Sequence, residues 1–373
     1  MNVPFIDLKR YENGFLDKWN PKVIEMSKNA QFIGGAEVSN LENGLKTWTE
    51  TEHAVSCANG TDALQLALRA VGVENGDHVL IPDSTFWATF EAVVNVGAIP
   101  SVVDVDLKDG GVDINAFEEG IKVLKPKAAI IAHLYGWGTA KLVQIRTLCA
   151  ENGVKLIEDG AQCFGVRYNG KSIYKGALIS TTSFYPAKVL GAAGDGGAVF
   201  TNDAELARKV RMYSNHGRKD HYSYEDVGWN SRMDSFQAAF VNISMEYLKE
   251  RIKSRVDSSK LYNKILSENG ISQILPPNGY EENGYCNVCL VDASIKAKLQ
   301  QKFVENSIGF GNVYPSAMSE QLCSSKYMNK RFGGNNSIVL GQTVFNLPLF
   351  PYMTSEELNR VSEVFLKSIK ELA

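Results

Sequence analysis

Four short stretches of the chain put reactive residue types directly after what read as buried apolar runs. In Ala58-Asn59-Gly60-Thr61-Asp62-Ala63-Leu64 a strand ends, Gly60 permits a tight turn and a helix begins at Thr61. Free backbone N–H groups and the helix dipole would make an anion cup there, with the Thr61 hydroxyl beside it. Asp62 would repel a phosphate and is expected to point away from one. In Leu156-Ile157-Glu158-Asp159-Gly160-Ala161-Gln162 two carboxylates follow a buried run. Either suits a general acid or base, a metal ligand or a counter-ion to a buried cation. Because strand side chains alternate, only one of the pair faces a given site. Thr182-Ser183-Phe184-Tyr185-Pro186-Ala187-Lys188 ends on a lysine ahead of Gly191, Gly194, Gly196 and Gly197. A sheltered amine in that position can act as a nucleophile, and the glycines let backbone approach a ligand closely. Ser84-Thr85-Phe86-Trp87-Ala88-Thr89 opens a helix with two aromatics, one of which could stack on a planar ligand.

These residues need elements to hold them. His53–Cys57, His78–Ile81, Ile99–Val105, Ala128–Ala132, Val154–Ile157, Ile179–Phe184 and Ala198–Thr201 read as strands. Thr61–Val71, Thr85–Val96, Asp113–Val123 and Thr139–Glu151 read as helices, the third capped by Asp113. Such alternation predicts a mostly parallel sheet covered on both faces, with ligands at the carboxyl ends of its strands. All four reactive stretches fall at such ends. Ser231 to Leu266 reads as one long proline-free helical stretch, a connector between domains or a surface for a partner subunit. Pro276-Pro277-Asn278-Gly279 is the best linker candidate. Thr354 and Glu357 have capping-box spacing ahead of a helix with Leu358, Val361, Phe365 and Ile369 on one face.

With 373 residues the chain exceeds one ordinary core, and a net charge of −3 gives no broad electrostatic reason to bind nucleic acid or an anionic membrane. No apolar run reaches the ~18 residues that span a bilayer, and the N-terminus opens with Pro4, Asp7 and Lys9, so a soluble, cytoplasmic protein is expected. Of six cysteines only Cys286 and Cys289 are spaced C-x-x-C, with no second pair or nearby His. Free thiols and no metal site are expected. Gly194-x-Gly196-x-x-Val199 has valine where a dinucleotide fingerprint needs its third glycine, and no Gly-Lys-Ser/Thr follows as in a P-loop.

Taken together, a phosphate cup, a carboxylate after one strand, a lysine after another and an aromatic lid are what a pyridoxal 5′-phosphate site requires. Over nearly its whole length the chain also resembles the DegT/StrS-type nucleotide-sugar aminotransferases. The matches run from Val3-Pro4-Phe5-Ile6-Asp7-Leu8-Lys9 through the cup and His133-Leu134-Tyr135-Gly136 to the Glu158 and Lys188 stretches. They continue through Gly194-Asp195-Gly196-Gly197, Asn215-His216-Gly217-Arg218, Asn230-Ser231-Arg232-Met233-Asp234 and Leu347-Pro348-Leu349-Phe350-Pro351. The resemblance implies an α/β, aspartate-aminotransferase-like fold. Residues 1–250, N-terminal segment included, would form a large domain with a mostly parallel seven-stranded sheet, and 251–373 a small α+β domain. It implies that Lys188 bonds the cofactor and shuttles the proton, that Asp159 pairs with the ring nitrogen and that Gln162 lies near the ring hydroxyl. Phe86 would stack on the ring, with Trp87 its neighbour, and Gly60, Thr61 and Ser183 would hold the phosphate. Asn230 would reach the phosphate of the other subunit in a homodimer, and Arg232 and Tyr314 would face substrate. The implied reaction moves the amino group of L-glutamate to a nucleotide-linked keto-sugar, at C3 of a UDP- or dTDP-sugar in preference to C4, for an amino sugar of surface polysaccharide. Relatives that replace the lysine with histidine are sugar dehydratases, the alternative reading. Val313-Tyr314-Pro315 and Ser319-Glu320-Gln321-Leu322 depart from the family's histidine-containing pattern, so the identity of the sugar stays open.

Overall fold

The computed structural model describes residues 1–372. Seven five-residue strands, β1 (His53–Cys57), β2 (His78–Pro82), β3 (Ile99–Val103), β4 (Ala128–Ala132), β5 (Lys155–Asp159), β6 (Ile179–Ser183) and β7 (Gly197–Thr201), coincide with the expected ones to within two residues at either end. An eighth, β8 (Arg331–Phe332), joins from far along the chain, so the order is β1-β7-β6-β5-β4-β2-β3-β8 and the expected seven strands become eight. Two residues are too few to leave a periodic signal. Arg331 instead pairs with Val102 across β3, while Phe332 is buried in the sheet's core. Pairing is parallel from β6 to β8, and antiparallel between β6 and β7 and between β7 and β1.

Covering both faces is what makes the strands continuously apolar; all five residues of β4 are buried. One face packs against α3 (Gly60–Ala70), α4 (Trp87–Asn95) and α7 (Ala204–Ser214). The other packs against α5 (Ile114–Leu124), α6 (Leu142–Glu151), α2 (Gly35–Thr49) and α8 (Ser235–Glu246). Asp113 caps α5 through the Ala116 N–H at 2.8 Å. The α6 helix starts at Leu142 rather than Thr139, because the Thr139 hydroxyl is bonded to Asp109 and accepts the Lys141 N–H.

The stretch expected as one helix from Ser231 is two. Asp234 caps α8 through Gln237 N–H, and Tyr247 separates it from α9 (Leu248–Glu268). α9 joins two cores, since Leu248 lies in the sheet's cluster while Tyr262 and Leu266 lie in a second one. That second core gathers Val3, Phe303, Phe345, Phe350 and Phe365, and Val3 pairs with Ile308. Its last helix starts with the expected capping box, in which Thr354 N–H donates to Glu357 and Glu357 N–H to the Thr354 hydroxyl. The proline pair is no free linker. Tyr280–Glu281 directly after it pairs with Arg167–Tyr168, and the Tyr280 hydroxyl donates to Thr139 O at 2.9 Å.

Candidate active site

A cavity of about 510 Å3 opens at the carboxyl ends of the parallel strands, within the range of small-molecule sites. Gly60, Thr61, Phe86, Asp159, Gln162, Ser183, Lys188 and Tyr314 all line it.

The cup is built by close packing of backbone. Asn59 caps α3, which begins at Gly60 rather than Thr61: its Oδ1 accepts Asp62 N–H at 2.8 Å. The first-turn N–H groups of Gly60 and Thr61 lack intrahelical acceptors by helix geometry. A Cβ on Gly60 would stand 2.7 Å from the Ser183 Cβ, and one on Gly197 only 2.4 Å from Asn59 O, so both positions need glycine for this approach. Asp62 is not among the lining residues; its carboxylate accepts from Gln65.

The two carboxylates separate as alternation requires. Glu158, 1% exposed, is held by both Arg146 Nε and Nη2 (2.7 and 2.8 Å) and faces His133 Nε2 at 2.9 Å. Burial alone would raise its pKa, but His133 and Arg146 outweigh that and hold it below the usual carboxylate range. Asp159 faces the cavity with no cation in salt-bridge contact among the described residues; it accepts Ala161 N–H at 3.0 Å and the Thr89 hydroxyl at 3.5 Å. Burial pushes this carboxyl up, against the pull of Ala161 N–H, Lys188, His133 and Thr89. A buried carboxylate without a bonded cation fits a ligand bringing a protonated ring nitrogen, and the helix N-terminus fits its phosphate.

Lys188 follows β6 in the loop that Gly191 tightens, where a Cβ would meet Pro186 O at 2.5 Å. Its Nζ lies 3.4 Å from the Tyr285 hydroxyl. The Gln162 amide is fixed at both ends: Oε1 accepts Tyr135 N–H at 2.6 Å and Nε2 donates to the Tyr314 hydroxyl at 2.8 Å. Phe86 is 58% exposed at the mouth, its ring 6.0 Å from that of Tyr314. Trp87 turns the other way and stacks on Phe90 at 4.8 Å.

Asn230 and Arg232 do not line this cavity. Asn230 is exposed, and Arg232 donates to Asn230 Oδ1 and Asn215 Oδ1 at 2.5 and 2.9 Å. Sequence reasoning missed Tyr285: residues 285–292 read as a strand, but in the structure only Cys289–Leu290 of them form one. Asn59 and Asp195 also line the cavity and lay unassigned inside stretches singled out for other residues. The two cysteines of the C-x-x-C are free, buried and in separate clusters, Cys286 behind the cavity and Cys289 in the second core.

A mostly parallel α/β sheet with a lysine, a buried carboxylate and a helix N-terminus converging at its strand ends defines an enzyme of the pyridoxal phosphate-dependent aminotransferase fold. The chain belongs to the DegT/DnrJ/EryC1/StrS aminotransferase family, whose model matches residues 17–366. It is 34% identical over 353 residues to the UDP-2-acetamido-2-deoxy-3-oxo-D-glucuronate aminotransferase of Pseudomonas aeruginosa, covering 94% of this chain and 96% of that one. Among solved structures it is similar to DesV of S. venezuelae (TM-score 0.92, 29% identity, 99% of each chain). It is also similar to NtdA of Bacillus subtilis with its bound cofactor PMP (TM-score 0.89, 28% identity, 99% of this chain and 85% of that one).

Proposed function

We propose that this aminotransferase uses pyridoxal 5′-phosphate to move the amino group of L-glutamate onto a nucleotide-linked keto-sugar. The observation that carries the reading is one cavity lined by Lys188, by Asp159 with no cation bonded to it, and by the N-terminus of α3. When bound, the cofactor supplies an electron sink for the carbon that loses or gains a proton. Lys188 anchors it through its amine and carries the proton between carbon atoms. Asp159 keeps the ring nitrogen protonated, and the low dielectric around the carboxylate strengthens that pairing. Gly60, Thr61 and Ser183 bind the phosphate. Phe86 covers one face of the ring, and Gln162, its amide oriented by Tyr135 and Tyr314, meets the ring hydroxyl.

Two copies share their sites in this reading. Asn230 extends to the phosphate, and Arg232 to the substrate, of the partner's cavity, which agrees with their lying outside the cavity of their own chain. The acceptor is the 3-keto group of a UDP- or dTDP-linked sugar, a choice supported by the 3-oxo sugar in the name of the P. aeruginosa relative. The product is an amino sugar made in the cytoplasm for surface polysaccharide.

Purified protein loaded with the cofactor, given L-glutamate, should exchange the lysine-bonded cofactor's absorbance at ~420 nm for that of the shorter-wavelength amine form. UDP-, dTDP- and GDP-keto-sugars are then screened, with the product read by mass and NMR. Amination at C4 alone would overturn the C3 assignment, and no spectral change with glutamate would overturn the reaction. Lys188→Ala should abolish turnover while the thermal midpoint stays near that of the wild type.

A further inference from the structure

We propose that Tyr285 is a catalytic residue: its hydroxyl holds the Lys188 amine whenever that amine is not bonded to the cofactor, and keeps it aimed while it changes protonation. This rests on the aminotransferase reading. The hydroxyl is 3.4 Å from Lys188 Nζ, and Nζ lies 5.2 Å from the ring centroid, so hydroxyl and ring both face the amine.

The ring has little freedom to leave that place. Tyr285 N–H donates to Asn283 Oδ1 at 3.0 Å. Asn283, fully buried, donates through Nδ2 to Gln162 O and Phe164 O at 2.9 and 3.0 Å. A Cβ on Gly136 would come within 2.4 Å of Asn283 Oδ1 and 3.0 Å of Tyr285 N, so glycine there lets the two segments close up. Tyr285 is thereby tied to the same loop that presents Asp159 and Gln162. Behind it, Arg255 and Tyr285 line a second, small cavity of about 30 Å3. Arg255 is buried and donates to two carbonyls, Gly284 O at 3.4 Å and Leu349 O at 3.2 Å.

The lone pair of a neutral amine can accept a hydrogen bond, an ammonium can only donate, and a phenol can serve both states. Were Lys188 to take up the substrate proton, a C–H bond would break and an N–H bond would form on Nζ, the bound cofactor supplying the electron sink for the pair left behind. The Tyr285 hydroxyl then turns from donating to accepting. The ammonium later releases that proton to carbon and the hydroxyl turns back, so Tyr285 ends each cycle with the proton it began with.

Tyr285→Phe removes the hydroxyl and keeps the ring. Apo protein of wild type and variant is mixed with pyridoxal 5′-phosphate, and covalent attachment at Lys188 is followed by absorbance and by intact mass after borohydride trapping. Attachment should be about tenfold slower in the variant, the effect of one hydrogen bond, and its final extent unchanged. In the reaction of loaded protein with L-glutamate, the same variant should be slower by at least that factor, with a larger isotope effect from 2-deuterated glutamate. Wild-type rates for both steps in Tyr285→Phe would overturn the proposal. Should wild-type protein not attach the cofactor at all, the aminotransferase reading itself would fail. If the Phe variant does not fold, Tyr285→His restores a donor and acceptor on a ring. Attachment by that variant no faster than by Tyr285→Leu would equally overturn the role of the hydroxyl.

Discussion

Glu158 and Asp159 are adjacent in the chain, yet strand alternation sends one to a buried ion cluster and the other to the cavity, and their pKa values move in opposite directions. Glu158, held below its ordinary value, adds stability above the unfolded-state pKa of about 4.3 and loses it as pH falls through the depressed folded value. Replacing it with Ala leaves Arg146 and His133 facing a buried gap, and urea unfolding at pH 7 should read a loss of about 3–5 kcal/mol. Asp159 has the reverse sign. Its folded pKa is raised, so the native state binds the proton more tightly and its ionisation costs stability as pH rises. Apo Asp159→Asn should therefore melt above apo wild type at pH 7, and that advantage should vanish below the unfolded value of about 3.9. The same variant should lose transaminase activity, a stability gain against function of the kind active sites show. Scanning calorimetry across pH checks the first half, and a glutamate assay the second.

At the scale of elements, β8 and the segment before it fasten the substrate side of the cavity to the sheet. Asp83, fully buried after β2, accepts from Ser319 N–H and hydroxyl (2.8 and 2.9 Å), Ser337 hydroxyl (2.7 Å) and Arg331 Nε (2.8 Å). Met318 N–H donates to Asp83 O at 2.7 Å. Of these five bonds, the three from Met318 and Ser319 hold the chain just beyond Tyr314 and the other two hold Arg331 and Ser337; Tyr314 in turn orients Gln162. Ser319→Ala removes one charge-assisted bond, and the KM for the keto-sugar should rise about tenfold, while the glutamate reaction and cofactor absorbance stay near wild type. Steady-state kinetics with each substrate varied in turn separates the two.

At the scale of the whole molecule, apolar side chains stand exposed at Phe32 (49%), Ile33 (59%) and Tyr185 (55%), and Asn230 and Arg232 lie outside their own chain's cavity. The proposed shared-site dimer would account for both. Sedimentation should give twice the 41.1 kDa chain mass. Complementation is the sharper measurement: Lys188→Ala and Asn230→Ala proteins, each inactive or weakened alone, are unfolded together and refolded as a mixture. Random pairing should restore roughly a quarter of wild-type activity, since half the dimers are mixed and each holds one intact site. No recovery would argue that each chain completes its own cavity.

The alternation of apolar runs and helical patterns is a local property of the chain, so the seven long strands, the helices α3 to α6 and the caps at Asp113 and Thr354 were legible before folding, whereas α2 was not. So were the lysine, the carboxylates and the glycine turns, because ligands meet a parallel sheet at its strand ends and these residues follow strands. Which of Glu158 and Asp159 faces the cavity, and which of Phe86 and Trp87, depends on what lies across each face; packing against Arg146 and against Phe90 decided it. Residues without an element around them left no period to read. Tyr285 reaches Lys188 from 97 positions away, and β8 reaches β3 from more than 200, through contacts that exist only once both cores have closed.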